Sequence, residues 1–311
     1  MGICEGRVVV VTGAGRGIGR AHALRFAQEG AKVVVNDLGS EADGSGRSSA
    51  LAAAVVEEIR ASGGDAVANG DDVADWEGAN RLVQTALETF SGLDVLVNSA
   101  GILRDRSLPS MTEDDWDAVI RVHLKGTFCP ARHAAAYWRD RSKRGETNDA
   151  RIITTTSTSG LYGNFGQVNY GAAKAGIAAF TSIAALELER YGVTVNAISP
   201  AARTRMTESG LPEVASGAFD PFDPAHVSAL VVWLGSPESA QVTGRVFDVF
   251  GARVRLETGW TPGPARPSAG PLEVSELGPI VASLLAEAPA RIRTWEDAEV
   301  GQPGSELILP A

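Results

Sequence analysis

The chain has 311 residues, 44% of them hydrophobic and 21% charged, with a net charge of −10. That balance describes a folded globular protein. The acidic excess gives no support for nucleic acid or an anionic membrane as partner, although a local basic patch would still admit an anionic ligand.

Two cysteines, Cys4 and Cys129, offer no disulfide framework. The histidines His22, His123, His133 and His226 are scattered without metal-ligand spacing, so no metal is expected. Low cysteine and the lack of an apolar N-terminal signal fit the cytoplasm. The apolar runs read as too short to span a bilayer.

Taken in order, residues 7–12 form a continuous apolar strand, as expected in a parallel sheet buried on both faces. Gly13-Ala14-Gly15-Arg16-Gly17-Ile18-Gly19 follows, then a helical stretch to Glu29 and a second apolar strand over 31–37. Strand, Gly-rich turn, helix, strand and acidic residue make a βαβ unit suited to a dinucleotide. The spacing is Gly13-x-x-x-Gly17-x-Gly19 rather than the strict G-x-G-x-x-G. The glycines let the backbone approach a pyrophosphate, whose charge the helix N-terminus favours. Asp37 ends the second strand, where a carboxylate accepts both ribose hydroxyls of NAD and repels the 2′-phosphate of NADP. A capping role is the alternative for Asp37, and Arg16 pulls modestly toward NADP.

Residues 38–48 read as a loop, longer than usual for this position, either mobile or covering the adenosine. A helix over 49–61 and a short strand at 66–68 come next. Asp71, Asp72 and Val73 then stand where a carboxylate can meet adenine. A helix over 75–90 leads to a strand at 93–97. That strand ends in Asn98-Ser99-Ala100-Gly101, small enough for a cofactor to lie against. One long helix is expected from Thr112 to Trp138, with Thr112 as N-cap, acids in its first turn and His123 within it. Residues 139–149 read as a charged loop.

A β-branched strand, 152–156, ends before Ser157, and an Ala- and Leu-rich helix starts near Tyr170. Tyr170 and Lys174, four residues apart, share one face of that helix. A free tyrosine, with pKa about 10, is a poor base near neutrality. Lowering it by ~3 units takes about 4 kcal/mol, which an ammonium at ~4 Å supplies at an effective dielectric near ~20. Tyr170 then exchanges a proton with a carbonyl/alcohol pair, while Ser157 holds the substrate oxygen. A strand at 193–198, a long irregular loop at 199–224, a helix at 226–234 and a strand at 245–249 complete the pattern. The long loop should contact substrate. Residues 261–271 read as an extended linker, and 279–286 as a short helix with Ile280, Leu284 and Leu285 on one face.

Residues 5–250 resemble the classical short-chain dehydrogenase/reductase family. The resemblance rests on Thr-Gly-x-x-x-Gly-x-Gly at 12–19, Asp72, Asn-Ser-Ala-Gly at 98–101, Ser157, Tyr170 and Lys174. It implies an α/β fold: a doubly wound, seven-stranded parallel sheet of Rossmann type in one domain, 1–251, with a C-terminal extension, 252–311, packing on the core or a neighbouring subunit. It further implies a Ser–Tyr–Lys site and an NAD cofactor held by Gly13, Arg16, Gly17, Ile18, Gly19, Asp37, Asp72, Val73, Asn98, Ala100, Gly101, Tyr170, Lys174 and Pro200. A homodimer or homotetramer, often built on the two long helices, is the family expectation.

Three positions depart from the pattern. Ser99 replaces the second Asn, Ala201 replaces Gly after Pro200, and His123 stands where the family usually has an Asn that helps hold a relay water. A histidine there resembles one branch, the (3R)-hydroxyacyl-CoA dehydrogenase module of multifunctional enzyme type 2. The stretches 35–39, 100–107 and 161–167 are similar to that branch as well. The expected reaction is therefore NAD-dependent oxidation of a 3-hydroxyacyl-CoA in fatty-acid or sterol side-chain breakdown, with His123 in the catalytic group. A 3-oxoacyl carrier-protein reductase, a hydroxysteroid dehydrogenase and a non-catalytic NAD-sensing scaffold are the rivals.

Overall fold

The computed structural model describes residues 2–204, 207, 213–215, 218–259, 262, 264–266 and 274–287. Among these, eight strands form a single sheet: β1 (Val8–Thr12), β2 (Lys32–Asn36), β3 (Asp65–Asn69), β4 (Val95–Asn98), β5 (Ala150–Thr155), β6 (Val193–Ala201), β7 (Val246–Phe250) and β8 (Arg253–Glu257). Their order is β3-β2-β1-β4-β5-β6-β7-β8. Every pairing is parallel except β7 with β8.

The helices are α1 (Gly17–Gln28), α2 (Ala50–Ala61), α3 (Trp76–Phe90), α4 (Glu113–Ile120), α5 (Gly126–Lys143), α6 (Thr158–Tyr162), α7 (Val168–Leu188), α8 (Pro224–Gly235) and α9 (Val274–Leu285). They cover both faces of the sheet, and strand periodicity decides which residue meets which layer. Val9 and Val11 pack with Phe26, Val55, Ile59 and Val231 on one side. Val8 and Val10 pack with Leu82, Ala134, Trp138 and Ala184 on the other. All five residues of β1 are buried, which explains its unbroken apolar run.

The chain leaves β1 for β2 and β3 on one side, then returns to β4 on the other. That reversal opens a crevice at the carboxyl ends of the strands, where ligands of doubly wound folds bind.

The structure differs from the sequence expectation in four places. First, an eighth, antiparallel strand extends the seven parallel ones. Phe250 pairs with Arg253 and Val246 with Glu257 across a two-residue turn, so the expected boundary at 251 falls inside a hairpin. Second, the helix expected over 112–138 is two helices joined by a π-helical turn, Arg121–Lys125. α5 also runs on to Lys143, through the stretch read as loop, with Asp140 3.9 Å from Lys143 one turn away. Third, α7 and the 3₁₀ turn after it span 24 residues, Val168–Tyr191, long and apolar enough to cross a membrane by length and composition. Here that segment lies along β5 and β6 and buries Asn169, Lys174 and Thr181. Fourth, the helix expected over 279–286 begins earlier, at Val274, and contains Pro279. Most of the linker expected at 261–271 lies outside the described residues.

Candidate active site

A cavity of about 750 Å³ occupies the crevice. Its walls come from the segments that follow β1 to β7, together with residues of the π-turn and α7. Of the residues predicted from the sequence, Gly13, Arg16, Gly17, Ile18, Gly19, Asp37, Asp72, Val73, Ala100, Gly101, His123, Ser157, Tyr170, Lys174 and Pro200 all line it. Asn98 does not. Its side chain is buried, and among the described residues neither its amide oxygen nor its nitrogen has a hydrogen-bond partner.

At one end the turn after β1 makes a cradle of bare backbone. A Cβ on Gly13 would lie 2.7 Å from the Ala100 Cα, and one on Gly19 would lie 2.3 Å from the Gly13 carbonyl oxygen. Gly13 also has φ +65°, a conformation that favours glycine. Thr12 fixes the opposite wall, its Oγ1 accepting from the Ser99 and Ala100 amides at 3.0 and 3.2 Å. The N-terminus of α1 opens onto this space, so the cradle suits a pyrophosphate.

Asp37 turns its carboxylate back over the cradle. Oδ2 accepts from the Gly15 amide at 2.7 Å, and Oδ1 from the Gly39 amide at 2.6 Å. Asp72 caps the start of the next segment through the Ala74 amide at 2.8 Å and pairs with Arg121 at 2.6 Å. Burial opposes ionisation of Asp72, but the Arg121 guanidinium and the Ala74 amide together hold its pKa below the usual carboxylate value. These residues fit a dinucleotide.

At the other end stand the catalytic candidates. Ser157 is the N-cap of α6, its Oγ accepting from the Ser159 amide at 3.2 Å. It also hydrogen-bonds the Tyr170 hydroxyl. Lys174 Nζ donates to the Thr155 carbonyl at 2.7 Å and lies 5.4 Å from the Tyr170 ring centroid. His123, carried into the interior by the π-turn, meets the Tyr170 ring edge to face at 5.1 Å.

His123 Nε2 lies 2.7 Å from the Ile102 carbonyl oxygen. The Ile102 amide also lies 3.1 Å from this nitrogen, and because the carbonyl calls for a proton there and the amide for a lone pair, either neutral tautomer finds a partner. Nδ1 is buried and has no hydrogen-bond partner among the described residues. Burial, with the Lys174 charge nearby, lowers the His123 pKa to about 3, so the ring is neutral at physiological pH.

The electrostatics correct one expectation. Burial raises Tyr170 to about 12, the Ser157 hydrogen bond opposing it and the Asp105 charge adding to it. Burial lowers Lys174 to about 7. Lys174 therefore does not acidify Tyr170 in the protein alone. Its ammonium points at a carbonyl, no counter-ion among the described residues meets it, and desolvation disfavours both charged forms.

Several contributors were not legible beforehand. Asn169 is fully buried. Its Oδ1 accepts from the Tyr170 amide at 2.8 Å, and its Nδ2 donates to the carbonyls of Arg104 and Asp115 at 3.0 and 3.1 Å. Gln167 links Ser159 Oγ, at 2.7 Å, to the Asp105 carboxylate, at 2.8 Å. The β7–β8 hairpin supplies Asp248, Phe250 and Arg253 to the cavity wall. The long loop after β6 contributes Thr204, Thr207 and Phe222, while much of 205–217 lies outside the described residues.

Comparison with known proteins agrees with this geometry. The short chain dehydrogenase family model matches residues 7–213. The hydroxyacyl-CoA dehydrogenase ChsB1 of Mycobacterium tuberculosis is 48% identical over 261 residues, covering 81% of this chain and 80% of that protein. The peroxisomal multifunctional enzyme type 2 of Mus musculus is 49% identical over 245 residues, 79% of this chain and 32% of that larger protein. A crystal structure of a short chain dehydrogenase from Mycobacterium avium superimposes with a TM-score of 0.85 at 56% identity, covering 94% of this chain and 99% of that one. With a glycine cradle for a nicotinamide dinucleotide, NAD or NADP, and Ser157, Tyr170 and Lys174 converging at its far end, this chain belongs to the short-chain dehydrogenase/reductase family and is an oxidoreductase.

Proposed function

We propose that this chain is an NAD-dependent 3-hydroxyacyl-CoA dehydrogenase acting in fatty-acid or sterol side-chain breakdown. The observation that carries it is His123 seated behind Tyr170 in an otherwise ordinary Ser–Tyr–Lys site. The hydroxyacyl-CoA relative, similar over four-fifths of both chains, supports the same substrate class.

When bound, NAD⁺ would supply the hydride acceptor and a positive charge. The protein does the rest. Ser157 Oγ holds the C3 oxygen of the substrate. Tyr170 Oη accepts the hydroxyl proton as C3 loses hydride. A tyrosine raised to about 12 is a poor base, so the catalytic form needs added positive charge beside it. Lys174, at about 7, gains its proton readily once anionic or hydroxyl oxygens replace its single carbonyl partner. His123 Nδ1, buried without a partner among the described residues, is a polar atom beside Tyr170 to which a relay water can hydrogen-bond.

Preference for NAD is supported by Asp37, whose carboxylate lies against the Gly15 amide where a 2′-phosphate would be repelled. Arg16, the residue that pulled toward NADP, has the Glu41 carboxylate at 3.8 Å.

The test follows NADH oxidation with a short and a bulky 3-oxoacyl-CoA in parallel, with NADPH as control. Turnover of either thioester with NADH supports the proposal. Turnover of a free steroid or simple ketone with neither thioester used defeats it. Preference for NADPH would favour the carrier-protein reductase rival.

A further inference from the structure

The stretch Ile102–Arg104 touches two parts of the site. On one side is the loop 38–48, which lines the cavity through Ser40, Glu41, Ala42 and Gly44. Its ends are joined by the Ser48 amide donating to the Leu38 carbonyl at 3.1 Å. It is held to the body by the Leu103 amide donating to the Ala42 carbonyl at 3.0 Å and by Arg104 Nε donating to the Asp43 carbonyl at 2.9 Å. Arg104 Nη1 reaches the other way, to the Asp114 carbonyl at 3.3 Å and to the Asp114 carboxylate, in the first turn of α4.

On the other side is the catalytic helix. The Arg104 carbonyl accepts from Asn169 Nδ2 at 3.0 Å, and Asn169 Oδ1 accepts from the Tyr170 amide at 2.8 Å. The same Nδ2 donates to the Asp115 carbonyl at 3.1 Å, next in sequence to the Arg104 anchor. The side chain of Arg104 thus holds the cofactor-side loop, and its backbone holds the segment that places Tyr170.

We propose that Arg104 is a positioning residue that couples closure of loop 38–48 over the dinucleotide to the placement of Tyr170. Its guanidinium donates in both directions at once because its five N–H groups are spread over a rigid planar fork. The loop bears on the adenosine half of the cavity beside Asp37, so its release would be felt in cofactor dwell time before acyl-substrate affinity. The proposal rests on the dinucleotide reading of the preceding subsection.

The experiment measures dinucleotide affinity by fluorescence titration and dissociation by stopped flow, for the parent protein and Arg104→Ala, Arg104→Lys and Asp114→Asn. NADH and NADPH are both tried, and the one the parent binds more tightly is used. That choice tests the cofactor assignment, whereas the variant-to-parent ratio tests Arg104.

Arg104→Ala is expected to release the dinucleotide about tenfold faster, the size of one lost charge-assisted hydrogen bond. KM for the acyl substrate should stay within about twofold. Arg104→Lys, reaching one acceptor, should be intermediate. Asp114→Asn, at a carboxylate that is 86% exposed, keeps the fold and should release the dinucleotide about threefold faster. Affinity and release in both Arg104→Ala and Asp114→Asn within twofold of the parent would overturn the proposal, whatever the activity does. A change in acyl-substrate KM larger than that in dinucleotide release would overturn it equally.

Discussion

The rings of His123 and Tyr170 stand edge to face, centroids 5.1 Å apart and planes at 89°. The histidine edge in turn fills the space beside Gly101, where an added Cβ would come within 2.4 Å of His123 Cε1. A side chain at position 101 would therefore collide with His123. Gly101→Ala should destabilise the protein by about 1–3 kcal/mol and lower turnover, as overpacking does. Adding His123→Ala should recover part of that stability, since the two residues share one space. Thermal melts of the two single variants and the double variant would show the non-additivity, and simple additivity would place the strain elsewhere.

Lys174 is buried without a counter-ion, and its folded pKa is depressed from 10.5 to about 7. A depressed pKa means the unfolded chain binds more protons between those values, so stability rises with pH across pH 7 to 10.5. Below that window both states are charged and the fold bears the full desolvation cost. Lys174→Met should therefore abolish turnover yet raise the melting temperature of the ligand-free protein near pH 7 by about 2–4 °C. The gain should fade toward pH 10. An unchanged or lowered melting temperature at neutral pH would show that the Thr155 hydrogen bond outweighs desolvation.

Acid should act through two histidines. Burial lowers both His22 and His123 from 6.5 to about 3. Their neutral forms fit the fold, so their contribution is complete above pH 6.5 and is lost as pH falls through the folded values. Each should add a slope of about 1.4 kcal/mol per pH unit within that window. His22 Nδ1 meets Ser228 Oγ at 2.9 Å between α1 and α8, far from the chemistry. His22→Gln should roughly halve the slope between pH 6 and 4 without changing the dependence of kcat on pH. Urea unfolding over that range makes the comparison.

The C-terminal hairpin is expected to be needed for catalysis. Tyr162, at the end of the helix that Ser157 caps, donates to the Glu257 carboxylate on β8. Arg255 holds the same carboxylate at 2.9 Å and lies 3.5 Å from Asp248. Ending the chain at residue 251 would remove these partners, take Arg253 from the cavity wall and leave β7 as an unpaired edge. Such a truncation should lose most of its turnover and associate in solution, read by assay and size-exclusion chromatography. Full activity in a monodisperse truncated protein would confine the site to residues before the hairpin.

Legibility followed the range of the interactions. The glycine cradle, Asp37, Ser157 and the Tyr170–Lys174 spacing are local patterns, dictated by backbone approach, strand ends and helical periodicity. The β8 strand was within reach too, because Arg253-Val254-Arg255-Leu256-Glu257 alternates after a two-residue turn. The seven-stranded family pattern, which stops at β7, does not contain it. Asn169 left no such mark, since a single Asn before a helix reads as an ordinary cap. Its three hydrogen bonds exist only when α7, α4 and the segment after β4 meet.

The sequence by itself determined the doubly wound α/β class and which side chains would converge, because periodicity and glycine placement are properties of neighbouring residues. Only the tertiary structure decided the protonation balance of Tyr170, Lys174 and His123, the π-turn that drives His123 inward, and the anchoring of loop 38–48 by Arg104. Those depend on burial and on contacts between residues distant in the chain. No local pattern encodes desolvation, which arises only when the layers close.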